Sequence, residues 1–371
     1  MAESDGESLA ALAPSEEWAA AVRAAPRELF IPTQAWASPM DGGAETWIDR
    51  LAAPEAWRQA VYSDITITTQ LDDGAVSLSP ETAPETRPTS SSTAPSLVVE
   101  FLRLLDPYPG DRVLEIGTGT GWTAALLSAR LGSDRVASVE VDEHIANLAE
   151  QNLHRAGFTP RLLVGDGAVG EPHGGLFDRV HVTAGVREIP YAWVTQTRPG
   201  GILAMPWAPN HVRGYALRLA VTGETAVGRI VGDAGFMMLR DQRFTYPRPE
   251  GTARKSVWRV DPRRMTCAGR GLELGAAALM PGVVFNSGGL DGSDSLGVCD
   301  PASASYAIAN YDGAQVTQFG PRNLWDELEA AYLTWVSWGE PGVERYGVIV
   351  DADGQHLWLD SPETRVTAGG R

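Results

Sequence analysis

Three glycines and three carboxylates stand at intervals that could hold a ligand. Glu115-Ile-Gly117-Thr118-Gly119-Thr-Gly121 closes an apolar run, RVLEIG, and opens directly into TAALLSARLG. Glycines at such a turn let the backbone bend tightly and approach a ligand where a side chain would collide. Glu140 ends RVASVE about 20 residues beyond them, the interval at which a carboxylate accepts both hydroxyls of an adenosine ribose. Asp166, in VGDG, ends a third run and could accept a hydrogen bond from an adenine amino group. One such carboxylate alone reads as a helix cap or a solvated turn. The set, in register with alternating strands and helices, reads as a nucleotide site.

The spacing narrows the ligand. It is G-x-G-x-G followed by Trp122, not G-x-G-x-x-G/A, and no Gly-Lys-Ser/Thr of a Walker loop follows. A pyrophosphate-binding turn needs a third small residue for close helix packing, whereas a ligand without phosphate tolerates a bulky one there. Carboxylates without a phosphate-binding lysine suit a cation. S-adenosylmethionine meets these terms, being an adenosine that carries a sulfonium and an ammonium and no phosphate. It is the expected cofactor, with S-adenosylhomocysteine as its product.

The elements that position these residues follow from periodicity. After a short helix over 15–25 and another over 54–61 comes an extended stretch, VYSDITITTQLDDG. The run PTSSSTAPS reads as a non-helical, mobile segment, and Leu97, Val98, Phe101, Leu102 and Leu105 then recur at helical spacing. RVLEIG, RVASVEVD, PRLLVGD, FDRVHVTAG and GGILAMPW are strand-length apolar runs separated by helix-period segments, the mark of a parallel sheet covered on both faces. YALRLAVTG and AVGRIVGDAGFMML read as antiparallel strands at the edge of that sheet. The expected organisation is an N-terminal cap over 1–110, a doubly wound α/β core over 111–246 and a smaller α+β part over 247–371. In that last part LWDELEAAYLTWVSWG is a helix and YGVIVDADGQHLWLD a hairpin turned by Asp-Gly.

Composition excludes several classes. The formal net charge is −17, which argues against a phosphate-backbone partner. Cys267 and Cys299 form no Cys-x-x-Cys, so neither a zinc ribbon nor a disulfide framework is expected. The six histidines show no H-E-x-x-H or similar spacing, so no metal site is expected, and His181 is placed in the core of its strand. The acidic first residues do not resemble a secretory signal, and no apolar run is long enough to cross a bilayer. A cytoplasmic protein without membrane or nucleic-acid partners is expected.

In order and spacing, VYSDITITTQLDDG, PTSSSTAPS, RVLEIGTGTGW, SVEVD, LLVGDGAVG, FDRVHVTAG and RPGGILAMPW resemble the protein-L-isoaspartate O-methyltransferase family over about the first two-thirds of the chain. The resemblance implies a class I, Rossmann-like methyltransferase fold. It implies cofactor contacts from Glu115, Gly117, Thr118, Gly119, Gly121, Glu140, Val141, Asp166, Gly167 and Thr183. In that family a hydroxyl-bearing loop, usually Ser-Ala-Pro-His, places the substrate carboxylate; the matching stretch here is Thr93-Ala94-Pro95-Ser96. Thr93 aligns best to the proline, with Ser91 and Ser92 as alternatives. Tyr62 and Asp64 match a Tyr-x-Asp element that reads either as a structural turn or as a substrate contact.

Repair enzymes of this family are compact, whereas this chain continues for about 125 residues past Tyr246. The extension and the altered loop resemble actinobacterial members that tailor ribosomally made peptides alongside ATP-grasp macrocyclases or lanthionine synthetases. That resemblance implies methylation of an Asp in a macrocyclised precursor, giving aspartimide or isoaspartate. The alternatives are repair methylation of isoaspartyl residues in damaged proteins, and a cofactor-binding accessory protein without catalysis. The C-terminal tryptophans read first as core packing and second as peptide docking.

Overall fold

The computed structural model describes residues 2–40, 42–82, 86–210, 214–243, 251–287 and 294–367. It divides into two compact units, Met1–Ala184 with Ala192–Met205, and Gly185–Tyr191 with Pro206–Arg371. The boundary expected near Tyr246 lies outside the described residues.

The first unit begins with helices α1 (Ala2–Ala10) and α2 (Glu16–Ala24), strands β1 (Gln34–Pro39) and β2 (Thr46–Asp49), helix α3 (Pro54–Val61), strands β3 (Ile65–Leu71) and β4 (Pro88–Ser92), and helix α4 (Pro95–Leu105). Local chemistry sets these bounds. Ser15 accepts the Trp18 N–H as the N-cap of α2, and proline opens both α3 and α4, where a missing N–H costs nothing. The four strands form an antiparallel sheet in the order β2-β1-β3-β4, over a core of Ile31, Ala35, Ile48, Trp57, Val61 and Ile67.

The first five residues of the run expected as a mobile, non-helical segment are instead strand β4, paired with β3 through Ile67↔Ser92 and Thr68↔Ser91, and its last two, Pro95 and Ser96, open α4. Its composition misleads because the hydroxyls bond across the sheet, as Thr69 does to Ser90 and Thr89 to Gln70, in place of water.

The rest of that unit alternates: β5 (Val113–Ile116), α5 (Trp122–Leu131), β6 (Val136–Glu140), α6 (Glu143–Arg155), β7 (Arg161–Val164), β8 (Phe177–Val182), α7 (Tyr191–Thr195) and β9 (Thr197–Trp207). The strands are parallel, in the order β9-β8-β5-β6-β7. β5 is buried throughout, as a strand covered on both faces must be. The order reverses between β5 and β8, and in such sheets the ligand crevice opens at the carboxyl ends of the strands at that point.

The second unit holds two antiparallel arrays. One has the order β18-β17-β11-β10, built from β10 (Tyr215–Val221), β11 (Ala226–Asp233), β17 (Tyr346–Asp351) and β18 (Gly354–Leu359). The other is β12-β16-β15-β14-β13, with β12 (Arg254–Val257), β13 (Val284–Ser287), β14 (Ser295–Asp300), β15 (Ser305–Asn310) and β16 (Gln315–Phe319). Helices α8 (Pro262–Cys267), α9 (Arg270–Leu279) and α10 (Leu324–Ser337) accompany them, with Met265, Leu272, Leu328, Trp325 and Trp335 in one core cluster. Trp358 is equally buried in β18, so these tryptophans pack rather than face solvent.

Gly347 on β17 pairs with Trp358, and a Cβ there would collide with the indole and with the Gly228 carbonyl. Gly347→Ala is expected to destabilise this unit by about 3 kcal/mol. Calorimetry would show the fall in melting temperature, and an unchanged melt would contradict this packing.

Candidate active site

The glycine turn follows β5 at the reversal point. Gly117, Gly119 and Gly121 all have positive φ, at 90°, 54° and 90°, which other residues adopt only with strain. Space demands glycine as well. A Cβ on Gly117 would lie 2.6 Å from Thr183 Oγ1, and one on Gly121 would lie 3.2 Å from Leu153 on α6. Thr183, just after β8, donates its hydroxyl to the carbonyls of Ile116 (3.0 Å) and Gly117 (2.5 Å), so it braces the turn.

The bulky residue after Gly121 is Trp122, the first residue of α5. It is buried, and its indole N–H donates 3.0 Å to the Ala25 carbonyl, which directs it into the N-terminal segment. Gly121 itself supplies the close helix packing that the spacing had left unassigned.

Glu140 ends β6 with both oxygens engaged by backbone. Oε2 accepts the Gly119 N–H at 3.0 Å and Oε1 the Asp142 N–H at 3.1 Å. A carboxylate held this way is fixed in orientation before any ligand arrives. Val141 beside it is exposed, and Asp142 caps α6 through the His144 and Ile145 N–H groups. Asp166 stands at the same sheet edge, since Glu140 pairs with Val164; its Oδ1 accepts the Ala168 N–H at 2.8 Å. Gly167 is buried and its carbonyl accepts the Trp193 indole N–H.

Glu115 is wholly buried on β5. Its Oε2 accepts the Ser138 hydroxyl at 2.5 Å, Ser138 lies 2.6 Å from the Thr118 hydroxyl, and its Oε1 has no partner among the described residues. Burial pushes its pKa up to about 8; the Ser138 bond pulls it down and the neighbouring Glu140 pushes it further up. Among the described residues neither Glu115 nor Glu140 meets a cationic side chain. A buried, orphaned carboxylate oxygen beside a second carboxylate fits a cationic, phosphate-free ligand such as S-adenosylmethionine. His181, also on β8, is buried near Phe101 and burial draws its pKa down to about 4, so it is neutral at physiological pH.

Strand β4 crosses this turn. A Cβ on Gly119 would lie 3.4 Å from the Ser91 carbonyl oxygen. The strand's alternation sorts the candidate hydroxyls. Ser92 is buried and accepts the Arg27 Nε–H at 3.3 Å, whereas Ser91 and Thr93 are half-buried and, among the described residues, their hydroxyls meet no partner. Asp64 is exposed and its Oδ1 accepts the Ser96 N–H at 2.8 Å, anchoring the start of α4 just after Thr93.

Sequence reasoning missed Arg27, Ser138 and Gln70. Gln70 accepts the Thr89 hydroxyl and donates to Asp142, tying β3 and β4 to the turn after Glu140. A hydroxyl among valines in RVASVEV, and an arginine just before the apolar LFIP, were the available signals.

A family model described as protein-L-isoaspartate(D-aspartate) O-methyltransferase matches residues 44–236. The chain is 34% identical over 159 residues to the protein-L-isoaspartate O-methyltransferase of Methanopyrus kandleri, covering 42% of this chain and 70% of that protein. It is 40% identical over 121 residues to that of Pyrococcus horikoshii, covering 32% of this chain and 54% of that protein. A solved structure of a protein-L-isoaspartate O-methyltransferase matches with a TM-score of 0.56 and 23% identity, over 97% of this chain and 100% of that one. At that identity the likeness is one of fold, and it extends through the C-terminal part.

Proposed function

Because the chain belongs to the protein-L-isoaspartate(D-aspartate) O-methyltransferase family, we propose that it is an S-adenosylmethionine-dependent carboxyl O-methyltransferase. We further infer that its acceptor is an Asp side chain of a macrocyclised, ribosomally made peptide. The observation that carries the first statement is β4 lying across the glycine turn, with the Ser91 carbonyl 3.4 Å from the Cβ position of Gly119.

Glu140 would hold the ribose, Asp166 the adenine amino group, and Glu115 the cationic end of the cofactor. When bound, the cofactor supplies an electrophilic methyl group on a sulfonium. The acceptor carboxylate has an ordinary pKa near 4 and is ionised at neutral pH, so no strong base is needed. What the protein must supply is alignment, and held geometry can contribute several kcal/mol. The Thr93 hydroxyl would donate to the non-attacking carboxylate oxygen and leave the attacking oxygen nucleophilic. His181, neutral and buried, takes no proton in this scheme. Transfer of that methyl group to the carboxylate oxygen would leave the sulfur as the neutral thioether of S-adenosylhomocysteine. The ester can then be attacked by the next backbone nitrogen, expelling methanol and closing a five-membered imide.

Thr93 and Ser96, standing where the family usually has serine and histidine, support the peptide-tailoring reading. Repair of isoaspartyl proteins is the second reading, favoured by the fold likeness that runs through the C-terminal part, so chain length does not separate the two. Incubation with a linear isoaspartyl peptide and with a macrocyclised Asp peptide, read by mass spectrometry, distinguishes them. Methylation of the cyclised peptide is expected; methylation of the linear one alone would replace the first acceptor by the second.

Thr93→Ala is expected to lower kcat about tenfold to 100-fold. Its affinity for S-adenosylhomocysteine should stay near wild type. An unchanged rate would move the orienting role to Ser91, whose hydroxyl is the other one without a partner among the described residues.

A further inference from the structure

We propose that Arg27 is the positioning residue that sets β4 over the glycine turn, acting through Thr93, with Trp122 as the surface it rests on. The inference rests on the reading of Thr93 as the carboxylate-orienting hydroxyl.

Arg27 is 1% exposed and its guanidinium gathers three segments. Nη1 donates to the carbonyls of Val61 (3.0 Å) and Ser63 (3.3 Å), at the end of α3. Nη2 donates to Ile65 (2.9 Å) at the start of β3, and to Ser92 (3.2 Å) and Thr93 (3.0 Å). Nε donates to the Ser92 hydroxyl. A guanidinium has five N–H groups, and here six acceptors share them, so none is left for a ligand. Arg27 therefore acts through the strand and not on the substrate.

Its position links the two halves of the site. The guanidinium lies over the Trp122 ring, 5.3 Å from its centroid, and Trp122 directly follows Gly121. The Trp122 indole in turn bonds the Ala25 carbonyl, two residues before Arg27. A continuous path thus runs from the Thr93 carbonyl through Arg27 to the first residue of α5. From the other side Asp64 holds the Ser96 N–H, so Thr93 is fixed on both flanks. No carboxylate hydrogen-bonds to Arg27 among the described residues; burial lowers its pKa to about 9, and the nearby Asp64 carboxylate offsets part of that fall. Burying a cation whose hydrogen bonds all go to neutral acceptors is costly even with Asp64 nearby, and an apolar residue would fill the space more cheaply if filling were all that was needed. Lysine could not replace it, because a single ammonium cannot reach three segments at once.

The test is a double-mutant cycle of Arg27→Lys and Thr93→Ala, using a linear isoaspartyl peptide or a macrocyclised Asp peptide, whichever the wild-type enzyme methylates. Arg27→Lys is expected to lower kcat about 100-fold, with S-adenosylhomocysteine affinity within about threefold of wild type. In the Thr93→Ala background it should cost little more, because both changes remove the same alignment. Losses that multiply would overturn the proposal while leaving the role of Thr93 intact. An unchanged Thr93→Ala enzyme would remove that role first, and the proposal with it. Hydrogen exchange gives a readout independent of turnover: in Arg27→Lys, residues 88–96 should exchange faster while β5 and α5 keep their protection. Faster exchange everywhere would assign Arg27 to general stability and overturn the proposal. If Arg27→Lys does not fold, Trp122→Phe removes the indole bond and narrows the ring under the guanidinium, and it enters the same cycle with the same expected non-additivity.

Discussion

Replacing Glu140 by alanine is expected to weaken S-adenosylhomocysteine binding by about 100-fold or more while leaving the melting temperature of the free enzyme nearly unchanged. Hydrogen bonds to an ionised acceptor contribute more than neutral ones, and one carboxylate facing two ribose hydroxyls would lose two of them together. The expected insensitivity of the fold follows from the position. Glu140 is half-buried at the end of β6, and the two N–H groups it satisfies, on Gly119 and Asp142, lie in turns that water can reach. Titration calorimetry with S-adenosylhomocysteine reads the first effect and thermal melting the second. Near-wild-type affinity in Glu140→Ala would remove the ribose from this sheet edge.

Glu115→Gln is expected to do the opposite to the fold. The buried carboxyl of Glu115 has its pKa raised from 4.5 to about 8. A carboxyl whose folded pKa exceeds its unfolded value favours the protonated, folded form. Its contribution is harmless below the unfolded value, and stability is lost as pH rises from about 4.5 towards 8. Glutamine cannot ionise, so the variant should escape that loss. At pH 9 it should be more stable than wild type by about 2–4 kcal/mol, with the gap closing by pH 4. Denaturant melts across that range would show it. The same change removes a carboxyl that would ionise as the cationic cofactor binds, and should weaken S-adenosylhomocysteine binding. A variant less stable than wild type at pH 9 would mean that the ionised Glu115 is well partnered, contrary to its orphaned Oε1.

The α/β part of the fold was legible because its signals are local. Strand-length apolar runs alternate with helix-period segments, Asp142 caps α6 and Pro95 opens α4. Glu140 and Asp166 could be placed at one sheet edge, and Glu115 beside the glycine turn, from the alternation alone. The hydroxyl strand could not. Its Ser, Thr and Pro content is that of a loop, and it becomes a strand only through a bulged pairing with β3, about 20 residues earlier in the chain. The closing hairpin was legible, but its pairing with β11 was not, because Val227↔Ile349 joins residues distant in sequence. Its turn also differs in detail: Asp351 pairs with Gly354, so Ala352 and Asp353 make the loop and Gly354 follows it with φ of 118°. Arg27 was hidden for a similar reason. A buried arginine is defined by its acceptors, and these come from three segments spread from Val61 to Thr93.

Methyl transfer to a carboxylate can be followed with methyl-labelled S-adenosylmethionine and the wild-type enzyme. The acceptors are a linear isoaspartyl peptide and a macrocyclised Asp peptide, and the fate of the label is followed at neutral and mildly alkaline pH. Label is expected on one of the peptides as a base-labile ester, released as methanol as the imide forms. Label that survives alkali, or no transfer to either peptide by an enzyme that binds the cofactor, would contradict methyl transfer to a carboxylate.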